Sequence, residues 1–324
     1  MKRKPLALLL ICALLVTFAL AGCGGSGNGN NGGDNSTAAD LTADKTAEQI
    51  VAESFKLLDE ATSYDMEMTI DMSMPIEDEI ISMNMHGTAN YFVDPLKMKM
   101  VMETTPTSAV TAPPEELMMT IEYYIIAEGD SYTMYQHVNG QWIKMSFAEA
   151  GLADMMQMDA SKYTNMFIDN LKAASIDGEE KIGDLDTVKI TLTASGEIFN
   201  DMMGELDSLG MGESMDGLLP QDILSQLGDM TFTVWVDKAT LNTVKYYMDM
   251  TSMMKNMGDA MIASMGEDES LSAEELAEVT NMFDNMEMTM EYTIMNLNQA
   301  QDFTLPEEAA NAMDLGDLSS MTTP

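Results

Sequence analysis

Arginine is all but missing from this sequence: Arg3 is the only one, beside Lys2 and Lys4 at the extreme N-terminus. Cysteine occurs twice, as Cys12 and Cys23, and histidine twice, as His86 and His137. Each scarcity removes a class of chemistry. Without guanidinium forks the chain lacks the usual device for bidentate capture of phosphate or carboxylate. With so few lysines it has no patch to neutralise a nucleic-acid backbone, which excludes nucleic acid as a partner. Neither histidine stands in a triad or metal-ligand context, and each reads as a surface or barrel-rim side chain. No nucleophile elbow, phosphate loop or dinucleotide fingerprint is present, so no enzymatic activity is expected. Long apolar runs are scarce too. The main one, Leu6 to Ala21, falls short of the roughly 20 residues a membrane-spanning helix needs.

That run follows Lys2, Arg3 and Lys4 and ends at Leu20-Ala21-Gly22-Cys23. A charged start, a short apolar stretch and small residues before a cysteine make residues 1–22 a secretory signal peptide. The arrangement resembles a bacterial lipobox, in which the cysteine is acylated and becomes the new N-terminus. Cys23 is therefore expected to carry covalent diacylglycerol and acyl lipid. No other cofactor is implied, and the chain should sit lipid-anchored on the extracytoplasmic face of the cell membrane. Cys12 is lost with the signal, so the mature chain has no free thiol, disulfide or cysteine-based zinc site. Residues 23–45, mostly Gly, Asn, Ser, Asp and Ala, form a disordered tether with a reach of about 25 Å.

Acidic residues number 54, and once the signal is removed only 12 lysines oppose them, a balance of −42. The simplest account is solubility and solvated strand faces; loose binding of divalent cations is the rival. No Asp-x-Asp-x-Asp-Gly calcium loop occurs, and no metal site is assigned. The paired carboxylates at 115/116, 179/180, 274/275 and 307/308 sit in turns or on helix surfaces, and nominate no acid–base pair.

Methionine is the abundant residue, with 37. Met66, Met68, Ile70, Met72 and Met74 alternate with Asp65, Glu67, Thr69, Asp71 and Ser73, and Met286, Met288 and Met290 alternate with Glu287, Thr289 and Glu291. Side chains of a strand point alternately to its two faces, so these are strands with one apolar and one acidic side. Met83, Met85, Met98 and Met100 continue the pattern in the next two segments. Thioethers fill irregular cores, line adaptable apolar pockets, or ligate Cu(I). These twelve apolar positions are the candidate cavity lining; copper binding is the weakest of the three uses.

Along the chain, Thr46 with Gln49 caps a helix whose apolar stripe is Ala47, Ile50, Val51, Phe55 and Leu58. Strands follow at 64–74, 81–92 and through Met98–Met102. Leu117–Ala127 has the continuous apolarity of a strand covered on both sides. Asn139-Gly140 between two alternating runs predicts a type I′ hairpin, with Trp142 as an edge anchor. A helix is predicted from Ser161 to Asp177-Gly178, a strand over Thr187–Ala194, and helices within Ile198–Leu227. A second hairpin spans Thr231–Val236 and Thr243–Thr251. Residues 253–269 carry no firm pattern; Ser272 and Glu275 cap a helix reaching Phe283, and Met286–Leu297 is the last strand before a loose acidic tail. The predicted class is α+β: a curved antiparallel half-barrel of ten or eleven strands over residues 46–315, with helices on or plugging its concave face and a flexible tail at 316–324.

Three segments carry a family likeness: Tyr132–Lys144, Val234–Lys238 with Thr243–Tyr247, and Phe303–Glu308. With the lipobox, tether and interrupted long strands, they resemble LolA/LppX-like bacterial lipoproteins, and more closely an uncharacterised family of lipoproteins from Gram-positive bacteria. The resemblance implies a half-barrel of about eleven strands closed by helices, with an apolar cavity that holds acyl chains in better-known relatives. Those carriers place an arginine in the cavity; this mature chain has none. The expectation is a monomeric, non-catalytic lipoprotein binding a lipid or other hydrophobic molecule. Its alternative is an envelope interaction module with a filled core.

Overall fold

The computed structural model describes residues 39–317 apart from 77–78, 108–118, 129–130, 149–159, 199, 202–203, 205–226 and 266–272. Twelve strands form one open sheet: β1 (Ser63–Ile76), β2 (Glu79–Phe92), β3 (Lys97–Pro106), β4 (Met119–Glu128), β5 (Ser131–Val138), β6 (Gln141–Ala148), β7 (Leu171–Ile182), β8 (Leu185–Ala194), β9 (Met230–Asp237), β10 (Thr243–Asp249), β11 (Glu287–Met295) and β12 (Met313–Asp317). Their order is β12-β6-β5-β4-β3-β2-β1-β11-β10-β9-β8-β7. Every pairing is antiparallel except β12 with β6. Two meanders, β1–β6 and β7–β11, are joined where β1 pairs with β11. At that join Met68 lies opposite Tyr292, Ile70 opposite Met290 and Met72 opposite Met288. The alternation that defines these strands therefore places both methionine rows on one face.

Helices cover that face in two groups. α1 (Ala47–Asp59) begins at the predicted cap: Thr46 Oγ1 accepts from Gln49 N, and Gln49 Oε1 accepts from Thr46 N. Its stripe packs with Ile190, Leu192, Phe232 and Val234 of β8 and β9, and α2 (Ala160–Asp169) adds Phe167, whose ring meets Phe55 and Phe232 edge-on. α3 (Thr251–Met265) and α4 (Ala273–Asp284) lie over β11 and β1. Met253, Met254, Met257 and Phe283 join the strand methionines there in one buried cluster.

Several expectations need correction. The strands number twelve, because two were hidden. Leu171 and Ala174 belong to β7 and not to the helix before them, which ends at Asp169. Three-residue spacing fits either element, and an edge strand that exposes most of its side chains shows little alternation. Gly178 ends no helix; it takes φ 138° at a bulge in the β7–β8 ladder. The patternless 253–269 segment is helical to Met265. The segment that follows the last predicted strand, Phe303–Glu308 included, folds back as a strap, and residues 318–324 of the expected flexible tail lie outside the described residues. Phe303, Leu305 and Ala309 pack with Tyr124, Tyr135 and Trp142 on the side of the sheet opposite the helices, and β12 then lines the edge of β6. Trp142 is accordingly one strand in from the edge. The strap also explains the continuous apolarity of β4, since Tyr124 and Ile125 are both buried, one on each face. The packed body reaches back into the expected tether, where Leu41 N–H donates to the Lys238 carbonyl and Asp40 pairs with Lys238. The Asn139-Gly140 turn has positive φ at both residues, as type I′ requires. The predicted helices of Ile198–Leu227 and the loop from Ser108 fall largely outside the described residues.

Candidate functional site: an uncharged methionine face

Following the register from strand to strand shows which side chains share the helix-covered face. From Met66, Met68 and Ile70 it passes to Ala89, Gly87 and Met85, then to Met100 and Met102, Tyr123 and Ile121, Gln136 and Val138, and Ile143. Among the described residues of β1–β6, Glu79, opposite Ile76 at the far end of β2, is the single Asp, Glu, Lys or His at a position of this parity. In a chain with 54 acids that segregation is strong. The carboxylates go to the opposite face, where Asp65 accepts from Asn90 and Asn296, and Asp71 from Asn84.

Burial along the face is graded. Met66, Met68, Ile70, Met72, Met74, Met286, Met288 and Met290 are all buried, and Met288 and Ile70 are 0 % exposed. What covers them is α3 and α4. Gly258 of α3 lets the two helices close: a Cβ there would lie 2.3 Å from Phe283 of α4. Each methionine removed from water at this junction contributes about 1.5–3 kcal/mol. Met100 is buried as well, while Met83, Met85 and Met98 are half-buried against the same cluster. The candidate residues thus divide: the rows on β1 and β11, with Met100 of β3, are core, and Met83, Met85 and Met98 are only half-buried.

Farther out the face continues through side chains that alternation on single segments did not nominate: Ile121, Tyr123, Met134, Gln136, Ile143 and Met145, all half-buried. Their signal lay in the register of the Asn139-Gly140 hairpin. With Leu315 of β12, Met134, Gln136, Ile143, Lys144 and Met145 line a shallow depression of about 10 Å³. That is room for about one water molecule, far below a usual ligand pocket, so an occupant must push something aside. One polar spot interrupts the apolar strip, where Gln136 Nε2 donates to Tyr123 Oη at 3.3 Å. Burial raises the Tyr123 phenol above its ordinary pKa against the lowering effect of Gln136, which keeps it a neutral hydroxyl. Burial likewise raises Tyr292, whose hydroxyl lies 4.0 Å from the Met290 sulfur.

Histidines and acids make no second centre. His86 is exposed, and His137 stacks on Trp142 with Glu122 at 3.3 Å. Among the described residues no cluster of three His, Cys, Asp or Glu is placed to hold a metal. No described helix is long and apolar enough to cross a membrane. Cys23 lies outside the described residues.

Fold and face together define a class: an acidic, open β half-barrel whose covered face is nearly free of charge and rich in methionine. The chain belongs to a family of unknown function, DUF6612, whose model matches residues 46–314. No protein of curated function matches it. Among solved structures it is similar to the lipoprotein LprF from Mycobacterium bovis, at 13 % identity and TM-score 0.38 over 81 % of this chain and 97 % of that one. It is also similar to the lipoprotein LppX from Mycobacterium tuberculosis, at 12 % identity and TM-score 0.38 over 80 % and 98 %. A domain described as an outer membrane lipoprotein-sorting protein, from Vibrio parahaemolyticus, follows at 11 % and 0.22 over 82 % and 96 %. These are the lipoproteins the sequence resembles. At TM-scores below one-half they lend nothing to the functional reading, which rests on this chain's own residues.

Proposed function

We propose that this protein is a non-catalytic lipoprotein of the cell envelope, held to the outer leaflet by acyl chains on Cys23, that binds an apolar or amphipathic ligand along the β2–β6 part of its methionine face. The observation that carries the reading is the nearly uncharged strip itself. A face whose one acid over six strands is Glu79 at its far end, half-exposed on its outer strands, gives apolar atoms a favourable surface, and Lys144 beside its outer end is paired with Asp314. Thioether side chains adapt to irregular or flexible shapes. The Tyr123–Gln136 pair supplies a hydrogen-bonding point for a neutral polar group. The ligand class is therefore a flexible, uncharged or weakly polar hydrophobic molecule.

Titration with the uncharged dye N-phenyl-1-naphthylamine, together with native mass spectrometry of protein purified from membranes, tests this. Saturable dye binding and co-purifying lipid are expected. Met134→Glu, which sets a charge on the half-exposed strip, should weaken the dye about tenfold or more. Absence of both dye binding and lipid would remove the reading. A second reading then stands, because α3 and α4 fill the space over β1 and β11: an envelope module with a solid core that works through its acidic outer surface.

A further inference from the structure

The strap has an unusual setting for so acidic a protein. Its residues 302–317 carry Asp302, Glu307, Glu308, Asp314 and Asp317 and no lysine. Positions on the side of β3–β6 where it lies include Lys97, Lys99, Lys144 and His137 against Glu103, Glu122 and Glu128, and Glu122 is engaged by His137 and Tyr124. Lys97 Nζ meets Asp302 at 2.5 Å, donates to the Phe303 carbonyl, and sits 4.4 Å from the centre of the Phe303 ring. Lys144 Nζ meets Asp314 Oδ2 at 3.4 Å. By contrast, β12 itself is held thinly. It has five residues, its ladder with β6 shifts register between Asp314 and Asp317, and Met313 is 58 % and Leu315 40 % exposed.

We infer that the segment Asp302–Asp317 is a detachable strap, latched to the sheet by Lys97 and Lys144, whose release bares the β6 edge and withdraws Leu315 from the outer end of the methionine face. Latching by two surface ion pairs and a small apolar cluster about Phe303, Leu305 and Ala309, with few strand hydrogen bonds, makes this a low-stability unit of the sheet; the β1–β11 seam, buried under two helices, is a high one. Release also offers the room that the shallow depression lacks, a consequence that rests on the ligand reading above.

Hydrogen exchange of the mature chain, read by mass spectrometry at low salt and in about 1 M sodium chloride, where the screening length falls to about 3 Å, tests the latch. Two exposed ion pairs predict exchange in β6 and β12 about threefold to tenfold faster in high salt, with β1 and β11 unchanged. Lys97→Gln should reproduce the increase at low salt and reduce the response to added salt. Protection of β12 equal to that of β1, a salt effect shared by the whole sheet, or an undiminished salt response in Lys97→Gln would each overturn the proposal. Binding of N-phenyl-1-naphthylamine separates the two readings. Faster strap exchange without dye binding in either form keeps the strap and discards the ligand, whereas tighter dye binding in Lys97→Gln supports both.

Discussion

Gly258→Ala is the substitution that tests most directly how the methionine face is covered. On a solvent-exposed helix, replacing glycine by alanine gains about 1 kcal/mol from backbone propensity. At this position the new Cβ would stand 2.3 Å from both Cβ and Cγ of Phe283, a side chain only 2 % exposed. A clash at Cβ cannot be relieved by a rotamer change, so α3 and α4 must separate, and such overpacking costs about 1–3 kcal/mol. The expected net result is a loss of about 1–2 kcal/mol in urea unfolding followed by circular dichroism. The control is a double-mutant cycle. Phe283→Gly alone should cost about 4–6 kcal/mol by opening a cavity and lowering helix propensity, but in that background, where no Cβ is left at 283 to meet, Gly258→Ala should revert to a gain of about 1 kcal/mol. A gain of that size in both backgrounds would mean that the helices do not meet here, and the burial assigned to Met254 and Met288 would fall with it.

Three other outcomes are expected. Gly196→Ala would push a Cβ to 2.5 Å from the Gly228 carbonyl oxygen and should cost about 2 kcal/mol, while Gly140→Ala meets no atom within 4 Å and should lose only about 1 kcal/mol, from its positive φ; denaturant midpoints order the two. The Asp40 carboxyl is held down to about 2 from 3.8 by the Thr42 hydroxyl and then by Lys238. A depressed carboxyl stabilises above its unfolded pKa and loses that as pH falls through the folded one. Proteolysis near residues 40–45 should therefore stay slow down to about pH 4 and rise towards pH 2, a step that Asp40→Asn removes. Finally, Cys23→Ser should move the protein from the membrane fraction to the soluble one; unchanged partitioning would reject the anchor.

Much of this fold was legible because its signals are local. The β1 and β11 patterns, the Thr46 cap and the Asn139-Gly140 turn each depend on residues within a few positions of one another. β7 and β12 were not legible. Leu171 and Ala174 fit a helix as well as an edge strand, and five residues at Met313–Asp317 mean nothing until β6 lies beside them. Residues 253–269 gave no firm pattern for a related reason: Gly258, which lowers helix propensity in isolation, is what allows α3 to approach Phe283.

The amino-acid order alone settled that the β1 and β11 strands have one apolar and one acidic side, and that the one arginine and both cysteines stand at or before Cys23. It could not say which methionines are sealed and which are reachable. That depended on where α3 and α4 come to rest and on a C-terminal segment returning to the opposite edge of the sheet. Alternation reports the direction of a side chain relative to its own strand, whereas exposure depends on what is packed above it, and here that cover is brought from distant parts of the chain.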